Sequence, residues 1–358
     1  MLGPRPLAAL SEISPYTPGA PARPGGHKLS SNENPLGCSP RAREAVIAAT
    51  QSLEEYPDGA ALNLRESLGR LHGLDPDQIF IGAGSDEILQ LICRAFLAPG
   101  DAALKTEHGF IIYDLAARQV GAEVICAPET GFTADVGALL ARVTPATRIV
   151  FLANPNNPTG TCLPRQDIAA LHQGLPGDVL LVLDAAYEEY VSDPAYSPGR
   201  ELAKAHGNVL VTHTFSKIHG LAALRVGWCY GPAPVIAALH KVRGPFNVNA
   251  AGLAAARAAA EDTAFQRASA DHNQRERARV FDALTDLGLQ AVPSETNFLL
   301  LRFADVASAR SADQHFQGRG LVLRRLDPYG LGACLRLSIG SQKANDAVIE
   351  AARALEPR

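Results

Sequence analysis

The sequence predicts an α/β protein: a large domain built on a mostly parallel sheet between helices, followed by a smaller α+β C-terminal domain. Three observations predict it. With 358 residues the chain exceeds one ordinary domain of about 100–200 residues. Through residue 214, short unbroken apolar runs alternate with longer helix-like stretches, and strands that lack polar alternation suit a sheet covered on both faces. Past Gly244-Pro245 the alternation loosens into a long helical stretch and then a few strand-like segments. These observations divide the chain into an extended arm over 1–28, a large domain over 29–243 and a small domain over 244–358.

Taken in order, the first 28 residues carry Pro4, Pro6, Pro15, Pro18, Pro21 and Pro24, which remove backbone donors and disfavour regular structure. Ser39-Pro40 ahead of RAREAVIAA then reads as a helix start, with serine as the cap and proline in the first turn. The strands are QIFIGAG, AALK, EVICA, RIVFLA, DVLLVLD and NVLVTHT; SDEILQLICRAFLAPG, FIIYDLAARQVG and PRQDIAALHQGL are helices between them. GLAAARAAAEDTAFQRASADHNQRERARVFDALTDLG predicts one or two long helices. The strands of the small domain are TNFLLLRF, GLVLRR and CLRLSIG, closed by the helix KANDAVIEAARALE.

Composition narrows the partners. Lysine and arginine number 33 against 37 acidic residues, a net charge of −4, so there is no basic footprint for nucleic acid and no polybasic face for a membrane. Small metabolites are the expected partners. No run approaches the ~20 apolar residues of a membrane helix, and the first residues lack the apolar core of a secretory leader, which predicts a cytoplasmic protein. The six cysteines, Cys38, Cys93, Cys126, Cys162, Cys229 and Cys334, are widely spaced with no C-x-x-C, so no metal site is expected and the thiols should be reduced and mostly buried.

In sheets of this kind ligands sit beyond the C-terminal ends of the strands. Gly82-Ala83-Gly84-Ser85-Asp86-Glu87 follows one strand and opens a helix, which points backbone N–H groups at an anion; a plain glycine turn has the same look. Asn154-Pro155-Asn156-Asn157-Pro158-Thr159-Gly160 is a rigid turn that can present amide side chains, or serve as a turn alone. Asp184 ends a buried strand, where a carboxylate needs a cationic or hydrogen-bonded partner unless it merely caps the next turn, and Tyr187 follows it. His213-Thr214-Phe215-Ser216-Lys217, with Arg225 beyond, places a lysine where its amine could be desolvated and made nucleophilic, beside hydroxyls and a guanidinium suited to a phosphate. Any one of these lysines or turns is commonplace. Together and in order they match the needs of pyridoxal 5'-phosphate: a Schiff-base lysine, an anion for the pyridinium nitrogen, a donor to the ring oxygen and a phosphate cup.

The ordered set SNENPLG (31–37), YPDG (56–59), GAGSDE (82–87), ANPNNPTG (153–160), DAAYEEY (184–190), TFSK (214–217), GLAALRVGW (220–228) and LRLSIG (335–340) resembles the fold-type I, pyridoxal-phosphate-dependent aminotransferases nearly end to end. Among them it is most similar to the branch that converts histidinol phosphate. The resemblance implies that Lys217 binds the cofactor and acts as base, that Asp184 pairs with the ring nitrogen, and that Asn157 and Tyr187 donate to the ring oxygen. It implies that Ser85, Asp86, Thr214, Ser216 and Arg225 surround the phosphate and that Phe110 stacks on the ring. Tyr16, Asn34, Tyr56, Arg324 and Arg336 fall at substrate-binding positions, with Arg325 a competing register for Arg324. Tyr56 would enter the site of a second subunit, hence a homodimer with shared sites. The implied reaction is a ping-pong transamination of L-histidinol phosphate with 2-oxoglutarate, giving L-glutamate, within histidine biosynthesis. Glu107-His108-Gly109-Phe110, Asp-Ala-Ala-Tyr and His219 depart from the commoner pattern without removing a chemical role. An aromatic amino acid aminotransferase, an O-phospho-amino-acid decarboxylase and a non-catalytic cofactor-binding protein are the competing functions.

Overall fold

The computed structural model describes residues 3–4, 9–10, 13, 15 and 19–355. In chain order its elements are β1 (His27–Lys28), α1 (Pro40–Ala49), α2 (Leu62–His72), β2 (Ile79–Gly82), α3 (Ser85–Phe96), β3 (Ala102–Thr106), α4 (Ile111–Gln119), β4 (Glu123–Ala127), β5 (Glu129–Thr130), β6 (Thr133–Ala134), α5 (Val136–Ala141), β7 (Thr147–Ala153), α6 (Arg165–Gly174), β8 (Leu180–Asp184), α7 (Arg200–Ala205), β9 (Val209–Thr214), β10 (Gly227–Tyr230), α8 (Ala233–Val242), α9 (Ala250–Glu261), α10 (Thr263–Asp286), β11 (Gln290–Val292), β12 (Phe298–Arg302), α11 (Val306–Gly318), β13 (Leu321–Val322), β14 (Arg324–Leu326), β15 (Leu331–Ser338) and α12 (Gln342–Arg353).

Seven strands form the large sheet in the order β2-β10-β9-β8-β7-β3-β4. The apolar runs alternate between its two faces: Ile79, Val150, Leu152, Leu181, Leu183, Val209 and Val211 belong to one core, and Phe80, Ile149, Phe151, Val182, Leu210 and Cys229 to the other. Both faces are therefore buried, the reason these strands carry no polar alternation. One strand lies outside the sequence expectation. β10, in the GLAALRVGW motif, runs antiparallel between β2 and β9 and seats Gly227 between Thr214 and Gly82. A Cβ on Gly227 would lie 2.4 Å from the Ser85 nitrogen, so only glycine lets β9 and the start of α3 close together there.

The small domain is the four-stranded sheet β11-β12-β15-β14, with α10, α11 and α12 packed around a core of Val280, Leu284, Leu299, Phe316, Leu335 and Val348. The long helical stretch forms two helices that meet at Asp262, which ends α9 and caps α10 by accepting the Phe265 N–H; Ala255, Ala256, Ala259 and Ala260 of α9 still pack into the large-domain core. The change of core thus falls at Asp262 rather than at 244. At the end of the arm β1 pairs in parallel with β13, and Leu29, the next residue, belongs to the small-domain core. Ser39 stands at the start of α1 but does not cap it, because its hydroxyl donates to Asp262 Oδ2 instead. Of the cysteines, Cys93, Cys229 and Cys334 are buried, while Cys126 is exposed.

Candidate active site

The parallel register lines up the ends of neighbouring strands: Ala153 pairs with Asp184, and Asp184 with Thr212. Beyond that edge lies a cavity of about 250 Å³. Its lining brings together Ser85, Asp86, Phe110, Asn157, Asp184, Tyr187, Thr214, Ser216, Lys217, Arg225, Arg324 and Arg336, and adds Ser30, Asn32 and Tyr329.

Asp184 is buried at the end of β8. Its Oδ2 accepts the Tyr113 hydroxyl at 2.8 Å, while Oδ1 has no hydrogen-bond partner among the described residues. Burial raises its pKa, opposed by the Tyr113 bond. An unpartnered buried carboxylate oxygen on a cavity wall fits a cationic N–H from a ligand. Lys217 Nζ donates to the Ser31 carbonyl at 3.2 Å and sits 5.6 Å from the Tyr187 ring centre. Burial, then the nearby Arg336 charge, lowers its pKa to about 8, which leaves a fraction of neutral amine at physiological pH.

At the opposite end, Gly84 precedes α3 with φ of +83°, and the Ser85 turn opens the helix there. Arg225, itself left-handed at φ +55°, reaches Asp86 Oδ2 at 3.1 Å and the Ser216 hydroxyl at 3.2 Å. A helix N-terminus, two hydroxyl-bearing side chains and a guanidinium fit a phosphate. Phe110 precedes α4 and meets Tyr113 edge-on at 5.8 Å.

Arg336 is buried, donating to the Asn157 carbonyl Oδ1 and, at 2.9 Å, to the Ser30 backbone oxygen. With Oδ1 engaged, Asn157 keeps its NH₂ donor for the cavity. The Tyr187 hydroxyl accepts from Asn32 Nδ2 at 2.9 Å, so its own proton remains to donate. Arg324 is the direct cross-strand partner of Arg336, hence on the same sheet face and the same cavity wall. Arg325 is held by Asp327 at 2.9 and 2.6 Å, and of the two arginines it is Arg324 that lines the cavity.

Two expected residues are elsewhere and one lies outside the described residues. Asn34 does not line the cavity: its amide donates to the Ile218 carbonyl at 2.7 Å and the Ser269 hydroxyl at 3.0 Å, and its oxygen caps Leu36 N–H. Asn32 takes that place, in a left-handed conformation at φ +56° held by Ser338 and Asn297. Tyr56 is 82% exposed and stacks on Phe246 at 4.6 Å, away from the cavity of its own chain. Tyr16 falls outside the described residues. The sequence did not point to Tyr113 or Asn32; Tyr113 was signalled only by lying one helical turn from Phe110. His108, from the departing stretch, pairs with Glu129 at 2.9 Å, and His219 is buried 3.7 Å from Glu189. Among the described residues no cluster of metal-ligating side chains is present, and no helix is long and apolar enough to cross a membrane.

A lysine, a strand-end carboxylate and a helix start thus meet around one cavity, and the chain that brings them together belongs to the class I and II aminotransferases, whose family model matches residues 25–352. Within that family, it is 51% identical to the histidinol-phosphate aminotransferase of Nitrobacter hamburgensis, over 99% of this chain and 98% of that one. The enzyme of the same name from Maricaulis maris is 47% identical over 97% of each chain. The crystal structure of histidinol-phosphate aminotransferase from Sinorhizobium meliloti in complex with pyridoxal-5'-phosphate superposes with a TM-score of 0.90 at 27% identity, covering 98% of this chain and 97% of that one.

Proposed function

We propose that this chain is a pyridoxal-phosphate-dependent aminotransferase that exchanges the amino group between L-histidinol phosphate and 2-oxoglutarate, with L-glutamate and the oxo-phosphate as the other pair, in a ping-pong cycle of histidine biosynthesis. The observation that carries the reading is the cross-strand pair Arg324 and Arg336 on one cavity wall. A guanidinium fork holds a carboxylate or phosphate anion by paired N–H donors, and two such forks on one wall suit an anionic end of the substrate. The phosphate of histidinol phosphate and the carboxylate of glutamate are both such anions. The names of the relatives support the same substrate.

The residues fit the cofactor. Asp184 Oδ1 would accept the ring N–H, Asn157 and Tyr187 would donate to the ring oxygen, and Phe110 would cover a ring face. Ser85, Asp86, Thr214, Ser216 and Arg225 would hold the phosphate. When bound, pyridoxal phosphate supplies an electron sink for negative charge developing at the substrate α-carbon. Lys217 would hold the cofactor, and its Nζ would take and return the substrate α-proton; an amine at about 8 can both accept and return it near neutral pH. Asp184 Oδ1 would accept from a protonated ring nitrogen and so favour that protonated form. Arg336 and Arg324 orient the substrate by its anionic end, which brings the α-carbon to Lys217.

The exposed stretch that carries Ile47, Leu53, Tyr56 and Leu62, with Tyr56 on Phe246, supports a homodimer in which Tyr56 completes the partner's site. Six unpaired cysteines support a reducing, cytoplasmic setting. The test is the absorption spectrum of protein reconstituted with pyridoxal phosphate, followed as L-histidinol phosphate or L-phenylalanine is added. Fast bleaching of the visible band by histidinol phosphate and slow bleaching by phenylalanine is expected. The reverse preference would make this an aromatic amino acid aminotransferase, and no visible band at all would refute the cofactor reading.

A further inference from the structure

We propose that Tyr113 is a positioning residue for Asp184, turning its carboxylate so that Oδ1 faces the cavity and Oδ2 faces away. The inference rests on the cofactor reading above. Tyr113 does not line the cavity; it is 1% exposed behind it, and its hydroxyl donates to Asp184 Oδ2 at 2.8 Å. Three contacts fix where that hydroxyl points. The ring lies flat on Phe151 of β7, with centroids 4.7 Å apart and planes 5° from parallel. Phe110 meets it edge-on at 5.8 Å and 89°. The next residue, Asp114, ties α4 to β3 through Lys105 Nζ at 2.9 Å, inside the protein.

A carboxylate with two equivalent oxygens and no fixed donor can rotate about its last bond. Here rotation would break a charge-assisted bond to a donor that has nowhere to follow, so Oδ1 stays aimed at the cavity. The same bond favours the ionised form of the carboxylate, against the upward push of burial on its pKa.

The test compares two ligands on three proteins. Pyridoxal phosphate and its 1-deaza analogue, in which a carbon replaces the ring nitrogen, differ only at the atom that Asp184 would meet. Their dissociation constants are measured by equilibrium dialysis on full-length wild type, Tyr113→Phe and Phe151→Leu, each stripped of bound cofactor. Tyr113→Phe removes one oxygen and keeps both ring contacts, whereas Phe151→Leu loosens the stack and keeps the hydroxyl. Wild type should prefer pyridoxal phosphate, Tyr113→Phe should lose about tenfold of that preference, the worth of one hydrogen bond to a charged group, and Phe151→Leu should lose a smaller part of it. Full preference in Tyr113→Phe, or a loss in Phe151→Leu larger than that in Tyr113→Phe, overturns the positioning role. No preference in wild type would instead sink the assignment of Asp184 to the ring nitrogen, and the positioning role with it.

Discussion

Replacing Lys217 with methionine should stabilise the protein freed of cofactor, by an amount that depends on pH. Burial, with Arg336 adding to it, lowers this amine from the ordinary lysine value of 10.5 to about 8. At about 1.4 kcal/mol per pH unit, the folded state carries a penalty of about 3 kcal/mol wherever the amine is protonated both folded and unfolded, that is, below pH 8. Between pH 8 and 10.5 the unfolded chain binds the proton and the folded protein does not, so wild-type stability rises there and the penalty is gone above 10.5. Methionine keeps the apolar stem but gives up the bond to the Ser31 carbonyl, worth about 1 kcal/mol. The variant should therefore be about 2 kcal/mol more stable at pH 7, with the gain falling through zero between about pH 9 and 10. Urea midpoints of the two proteins, taken at pH 7, 8, 9 and 10, measure the difference. A gain that does not change with pH, or a loss at pH 7, would refute a desolvated amine at this position.

Arg336→Lys keeps the charge but loses the fork that serves Asn157 and Ser30, so KM for histidinol phosphate should rise at least about tenfold; steady-state kinetics with an unchanged KM would remove Arg336 from the substrate site. Gly84→Ala forces a left-handed alanine whose Cβ lies 2.4 Å from Arg225 Nη2, and should weaken pyridoxal phosphate binding and lower stability by about 2 kcal/mol, read by titration and by thermal melting. Glu188 is a third target: burial works against its charge, but His213 and Arg200, the latter at 2.7 Å, hold the carboxyl well below the usual range. Glu188→Gln leaves Arg200 without its counter-charge and should destabilise by about 3 kcal/mol at pH 7 in urea unfolding.

The large sheet was legible because its strands are apolar on both faces, so every run announced itself in the sequence. β10 was not, since Gly227-Trp228-Cys229-Tyr230 is short and its direction is set by neighbours far along the chain. Residues at strand ends were equally legible: Asp184, Lys217 and Asn157 stand where the apolar runs stop, and all three meet at the cavity. Asn34 and Asn32 could not be told apart by spacing, because a left-handed residue at 32 turns one amide inward and the other toward Ile218. Ser39 has the composition of a cap, yet its side chain is turned to donate to a carboxylate from the start of α10 and accepts no N–H of α1. The break at Asp262 was hidden because alanine-rich and charged segments are both good helix formers.

The pairing of β1 with β13, and of Asn32 with Ser338 across 306 positions, has a consequence for synthesis. Ser30 and Asn32 leave the ribosome early, but Arg336 and Ser338, which bond them, are made at the far end of the chain. At about 5–20 residues per second the interval is about 15–60 s. During it the nascent large domain can close its sheet and bury most of its core, yet this wall of the cavity has its bonds to Lys217 and Tyr187 but lacks those from Arg336 and Ser338. The growing chain thus acquires its lysine, carboxylate and helix start before it can bind a substrate, and becomes competent only when β15 has been added to the small sheet.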